Sequence, residues 1–211
     1  MSKMIWTALL IEFLAIFGVG PLLVLVFHQP LVFQALLWLG ALGAWGLTRN
    51  QCPPSLGTGD FLKEMRAIVL RFGATVFVLA VATWLAMPET FLSFPQERPW
   101  LWLAIMVGYP LLSAWPQEVL YRRFLRIRYA PLFGTGTGFV MASGLSFGFA
   151  HAIFLNLVAI ALCTAGGLLF AKNFARHQSL TLVWIEHSLY GCAIFTIGLG
   201  SFFFTAALWH P

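Results

Sequence analysis

Charge is what this sequence has least of. Only 9% of its 211 residues are Asp, Glu, Lys or Arg, where a soluble domain usually carries about 25%. So few charges cannot cover a water-exposed surface of this size, which excludes a soluble globular fold. Acidic side chains are the scarcer sign, 7 against 12 Lys and Arg. The net charge of +5 does not call for nucleic acid, because excess Lys and Arg in an apolar chain first reports membrane topology; no nucleic-acid partner is expected. Cysteine is scarce as well. Cys52, Cys163 and Cys192 are far apart and form no CxxC pair, so neither a disulfide framework nor a zinc knuckle is indicated. Repeats, low-complexity tracts and breaks in composition are missing too, and residues 1–211 read as a single transmembrane domain.

Apolar length is what the chain has in abundance. It is 60% hydrophobic, with a mean hydropathy of +0.87. Continuous runs fall at roughly 5–27, 30–48, 67–87, 99–115, 131–153, 155–171 and 180–208. A helix needs about 20 such residues to cross the hydrocarbon core. A membrane barrel would show short alternating segments instead. The expected fold class is therefore all-α, a polytopic helical membrane protein with about seven spans. Gly198 and Gly200 would divide the long last run and make eight, and Pro21 predicts a kink in the first. Lys3 precedes that first run and no clear small-residue cleavage site follows, so it reads as a retained helix.

With the N-terminus cytoplasmic, 11 of the 12 basic residues face the cytoplasm and only Arg98, near Glu89 and Glu97, faces out. That asymmetry predicts an N-inside orientation. The segment 49–65, "RNQCPPSLGTGDFLKEM", is the main cytoplasmic loop, its Pro and Gly marking turns. Residues 60–71 suit a short interfacial helix leading into the third span. Membrane lipids are the first expected partner.

Function has to be sought among polar residues that are costly to bury. A charge near a helix centre costs roughly 2.5–3.5 kcal/mol on insertion scales. The residues that bear this cost are Glu12, Glu118, Arg122, His151, Glu186 and His187. In "WPQEVLYRRFLRIRY", residues 115–129, Glu118 and Arg122 are four apart, so on a helix they share a face and can pair. The fourth helix then runs past residue 115, with Arg123, Arg126 and Arg128 as positive-inside anchors at its headgroup end. His151 lies in "SFGFAHAIF" and His187 in "VWIEHSLYG". Glu186 points about 100° away from His187 and is free to pair with another helix. Glu12 either faces the bundle or sits near an interface. At about 1.5 Å per residue, His187 lies about 12 Å and His151 about 20 Å into their spans. Those depths are compatible with Glu118, His151 and His187 meeting at mid-depth.

In chain order, "EVLYR" (Glu118, Arg122), "FGFAH" (Phe147, His151) and "EHSLYG" (His187) resemble the E-x-x-x-R, F-x-x-x-H and helical His motifs of the CPBP intramembrane proteases. These comprise the CAAX-type prenyl endopeptidases and the bacterial Abi proteins. The resemblance covers the motif-bearing half, about residues 115–205. It implies an intramembrane endopeptidase that hydrolyses a peptide bond in a membrane-anchored or lipidated substrate. It also implies Glu118, Arg122, His151 and His187 as catalytic residues, and a bacterial inner (plasma) membrane location. Two chemistries stay open. In one, Glu118, His151 and His187 hold a divalent metal such as zinc. In the other there is no cofactor: Glu118 and His151 activate water and His187 stabilises the oxyanion.

The sequence departs from the family at three positions. The first motif usually has paired glutamates, the first of them commonly the water activator; Gln117 stands there in this chain, and an amide cannot act as a general base. The Asn often found four residues after the third-motif His is Gly191, and the Phe four residues before it is Val183. A non-catalytic CPBP-like membrane scaffold or substrate-binding protein is therefore the alternative. Ser146 in "GLSFG" matches the G-x-S-x-G of serine hydrolases, but Gly144 and Gly148 also make the G-x-x-x-G of close helix packing. Haem ligation by His151 and His187 and a transporter are further alternatives.

Overall fold

A computed structural model describes residues 3–27, 29–51 and 57–203. Cys52 and positions 204–208 of the last expected run lie outside them. Long helices follow one another: α1 (Lys3–Phe27), α2 (Pro30–Thr48), α3 (Thr58–Ala86), α4 (residues 99–128), α5 (Thr137–Ala150), α6 (Leu157–His177) and α7 (Leu180–Thr196). Among the described residues there is no strand. Among the described residues, five segments are long and apolar enough to cross a membrane: Lys3–Phe27, Leu31–Thr48, Gly59–Ala86, Thr137–Phe154 and Leu157–His177. They leave Leu31, Phe77, Leu85 and Leu157 among many exposed apolar side chains. Such faces are a liability in water and ordinary against lipid tails. The chain is an integral membrane protein.

The runs expected at 99–115 and 180–208 are helical as α4 and α7 but fall outside those five. Tyr109, Pro110, Ser113 and Pro116 interrupt the apolar part of α4, and α7 has 17 residues. α4 does continue past residue 115, to Arg128. The expected interfacial helix at 60–71 is not a separate element. Nothing in "DFLKEMRAIVLR" breaks a helix, and it forms the first turns of α3. The last run divides where Gly198 adopts φ +97°, a backbone conformation that a side chain resists.

Proline shapes the helices that matter most. A proline lacks an N–H and its ring crowds the carbonyl four residues back. In α1 the strain of Pro21 is taken up by a π-helical turn at Ala15–Val19. In α4, Pro110 opens a π-helical turn at Pro110–Ala114, and another follows at Val119–Phe124. Carbonyls freed in this way need other donors, because lipid offers none. Leu112 O, four residues before Pro116, accepts from Gln34 Nε2 at 2.5 Å and Trp38 Nε1 at 3.1 Å. Pro110 O keeps the Trp115 N–H of the π-helical turn and accepts a second bond from Trp184 Nε1 at 2.7 Å. The irregular backbone of α4 thereby becomes the joint between α2 and α7, and its stretch from Glu118 to Leu125 is the most buried part of the molecule.

α5 and α6 meet along a glycine seam. A Cβ on Gly144 would lie 2.5 Å from Leu168 Cδ2, and one on Gly148 would overlap the Thr164 hydroxyl. Gly167 answers from α6, where a Cβ would come within 2.9 Å of Gly144 O. This is the close backbone approach that small residues permit in membranes. A Gly148→Val replacement should therefore overpack the seam at a cost of about 1–3 kcal/mol. The expected result is a lower thermal unfolding midpoint in detergent micelles; an unchanged midpoint would refute the seam.

Candidate active site

Glu118 and Arg122 lie one turn apart on α4, and both are 0% exposed. Arg122 Nε donates to Glu118 Oε2 at 3.0 Å. Arg122 Nη1 donates to Ser143 Oγ on α5, and that hydroxyl donates to Tyr121 O at 2.6 Å. The guanidinium sits 4.9 Å from the Phe147 ring centroid, where the ring face attracts a cation. Charge, hydrogen bonds and aromatic face thus offset part of the cost of taking both ions out of water, with Arg122 Nη2 left buried without a hydrogen-bond partner.

The second carboxylate oxygen, Glu118 Oε1, lies 2.8 Å from His187 Nδ1 on α7. An ionised carboxylate only accepts, so Nδ1 carries the hydrogen and donates. That leaves Nε2 facing the Tyr109 hydroxyl at 2.8 Å. The imidazole is held between Phe170, stacked at 5.0 Å, and Phe147, edge-on at 5.4 Å. Arg122, Glu118, His187 and Tyr109 therefore form one hydrogen-bonded row running from α4 to α7 and back.

His151 sits where α5 ends and a 3-10 turn, His151–Phe154, begins. Its Nδ1 is 2.7 Å from Phe147 O. A carbonyl accepts, so Nδ1 donates here as well and Nε2 is left as the basic nitrogen. Phe147 touches His151 at 4.6 Å between ring centroids. One ring thus braces both histidines and the arginine, which gives the Phe of the F-x-x-x-H motif a physical role.

A cavity of about 240 Å³ is lined by Tyr109, Ser113, Gln117, Phe147, His151, Phe170, His187 and Tyr190, with apolar side chains around them. Glu118 and Arg122 are not in its wall. They stand behind His187, while the neighbouring Gln117 faces the cavity. Gln117 Nε2 donates to Ser113 Oγ at 2.8 Å, and its Oε1 is buried without a protein partner. Of the four residues singled out by sequence, Glu118, Arg122 and His187 are bonded together and His151 shares the cavity. Tyr109 was missed. Its one signal was a tyrosine in an otherwise apolar run, directly before Pro110.

As arranged, Glu118, His151 and His187 do not fit a metal ion. Both carboxylate oxygens and both His187 nitrogens are already engaged. Among the described residues no three His, Cys, Asp or Glu side chains form a metal-holding group. Ser146 Oγ donates to Ser143 O at 3.2 Å, inside its own helix, and its glycines belong to the seam.

The remaining intramembrane charges are structural ties. Glu186 Oε1 accepts from Arg71 Nη2 at 2.5 Å and Oε2 from Asn173 Nδ2 at 2.5 Å, so it pairs away from His187 and joins α3 and α6 to α7. Glu12 takes a two-pronged bond from Arg128, at 2.9 and 2.6 Å. Arg123 is buried and donates to Thr48 O at 2.8 Å, over the Trp45 ring. Arg126 donates to Gln178 Oε1 at 3.0 Å. The three arginines expected as plain anchors each clasp another helix or its end.

Residues 99–193, which span α4 to most of α7, match the family model described as "Rce1-like: Type II CAAX prenyl endopeptidase Rce1-like". No curated protein and no solved structure matches the chain.

Removing one half of a buried ion pair leaves the other uncompensated, at about 3–5 kcal/mol. Arg122→Leu should therefore destabilise the protein by about that much, while Glu118→Leu/Arg122→Leu should cost less than Arg122→Leu alone. Unfolding of Glu118→Leu, Arg122→Leu and the double variant in micelles checks this; additive costs would mean that the two residues are not coupled.

Proposed function

We propose, on the premise that residues 99–193 carry the Rce1-like CAAX endopeptidase signature, that this membrane protein is an intramembrane endopeptidase acting on a membrane-anchored or lipidated peptide. The observation that carries the reading is one cavity with two differently prepared imidazoles. His151 offers a basic Nε2, and His187 is clamped by a buried carboxylate.

Peptide hydrolysis needs a base for water and stabilisation of the oxyanion. His151 Nε2 takes a proton from water as the water oxygen bonds to the scissile carbonyl carbon. The carbonyl oxygen becomes the oxyanion and is stabilised from the His187 side. His151 then returns the proton to the leaving nitrogen, the C–N bond breaks, and a carboxyl and an amino terminus separate. Gln117 is no base, but its unpartnered Oε1 can accept from the attacking water and aim it. Glu118 acts as a positioning residue: it fixes the tautomer and orientation of His187, and Arg122 holds Glu118 in turn. This divides the roles differently from direct activation of water by Glu118. The apolar wall, which includes Leu79, Leu162 and Phe195, suits a lipid or aliphatic part of the substrate.

Seven spans, α1 to α7, with a cytoplasmic N-terminus account best for the basic residues, and put the arginine-rich end of α4 in the cytoplasm. The bacterial members that the motifs resemble make a bacterial inner membrane the proposed location.

The test compares newly formed protein termini, by mass spectrometry, in cells carrying wild-type protein or His151→Ala at equal abundance. Termini that vanish with His151→Ala and persist with Ser146→Ala are expected, and they would name the substrates. Identical termini throughout would overturn the peptidase and leave the scaffold reading that Gln117 favours.

A further inference from the structure

We infer that the hydroxyl of Tyr109, and not the ring of His187, is the group that donates to the substrate oxyanion, and that position 191 is glycine in order to admit it. The inference rests on the peptidase reading above. An imidazole nitrogen makes one hydrogen bond in the plane of its ring. For His187 Nε2 that direction is filled by Tyr109 Oη at 2.8 Å. A substrate oxygen reaches this nitrogen only by displacing the phenol. The phenol has a hydrogen and lone pairs. When Nε2 carries a hydrogen, the tyrosine oxygen accepts it, and its own O–H is released toward the cavity that Tyr109 lines. Glu118, on the far side of the ring, holds His187 in the orientation that presents Nε2 to the phenol.

Position 191 makes room for this arrangement. Gly191 follows His187 by four residues on α7, one turn away on the same face. A Cβ there would lie 2.5 Å from Tyr109 Oη and would overlap Cε1 and Cζ of the same ring. Any side chain at 191 would push the tyrosine off His187. Phe195, edge-on to the tyrosine at 5.9 Å, holds the ring from the next turn. An asparagine at 191 and a tyrosine at 109 therefore compete for one space beside one histidine. The glycine at this motif position exchanges one oxyanion donor for another.

Tyr109→Phe keeps the ring against Gly191 and removes only the hydroxyl. Losing one oxyanion donor typically lowers kcat by about 10²–10³. The experiment measures wild type, Tyr109→Phe, His151→Ala, Tyr109→Ala and Tyr109→Ala/Gly191→Asn in micelles. Its probe is a fluorogenic peptide copied from a cut site that His151→Ala abolishes in cells. Tyr109→Phe should lose about 10²–10³ in kcat with KM within about threefold and an unchanged thermal midpoint. Tyr109→Ala/Gly191→Asn should regain at least about tenfold over Tyr109→Ala. Wild-type kcat in Tyr109→Phe, with His151→Ala inactive, would overturn this inference and leave the peptidase standing. If cells with His151→Ala lose no cut site, the peptidase reading fails and the inference falls with it. Should the double variant not fold, Tyr109→Phe decides alone.

Discussion

Glu118 divides its two carboxylate oxygens between Arg122 and His187, and the site depends on that division. In the membrane interior no water can satisfy a half-paired carboxylate. Oε2 takes Arg122 Nε and Oε1 takes His187 Nδ1, so the ion is fully used, and every partner is fixed by it. Arg122 in turn reaches Ser143 on α5, and His187 reaches Tyr109 back on α4. A carboxylate spent in this way is unavailable as a free base. What it supplies is a rigid, correctly protonated imidazole at the cavity wall, and the burial that makes the ion costly also keeps it from exchanging partners.

The same requirement shapes the rest of the bundle. Pro110 and Pro116 break the regular hydrogen bonding of α4; the Leu112 carbonyl that Pro116 frees is met by Gln34 and Trp38, and Trp184 adds a bond to Pro110 O. The irregular stretch thus serves as an attachment point for its neighbours. The arginines work by the same logic. Arg123 meets the last carbonyl of α2, Arg126 meets Gln178 just past α6, and Arg128 meets Glu12 on α1. Their number suits a headgroup zone, but their places are set by the helix ends and the acid that they meet. Glu186 does for α3, α6 and α7 what Glu118 does for the site, without facing the cavity.

Two of the three departures from the motifs, Gln117 and Gly191, line the same cavity. Gln117 lies in the cavity wall, beside Ser113 and near the two histidines. Gly191 lies where a side chain would collide with Tyr109. Each has a polar side chain beside it: the His151 imidazole shares the cavity with Gln117, and the Tyr109 phenol packs on Gly191. Read along the chain, these neighbours are far away in sequence.

The sequence by itself determined the class of the protein. Scarce charge and long apolar runs require helices in lipid, and the periodicity of one helix suffices to pair Glu118 with Arg122, four residues apart. The F-x-x-x-H and helical His positions were legible for the same reason, since polar residues in apolar runs stand out by their cost. Gly144 and Gly148 were legible as a packing seam, and Gly198 as a break. Only the tertiary structure decided which carboxylate oxygen meets which histidine, that Gln117 and not Glu118 lines the cavity, and that Tyr109 stands on His187. It also decided the partners of Glu12, Glu186 and the arginines. These depend on contacts between residues some 50 to 120 positions apart, and on π-helical turns that rotate α4 away from a regular helical register. Local pattern reports what a residue costs to bury; which partner offsets that cost is a property of the packed bundle.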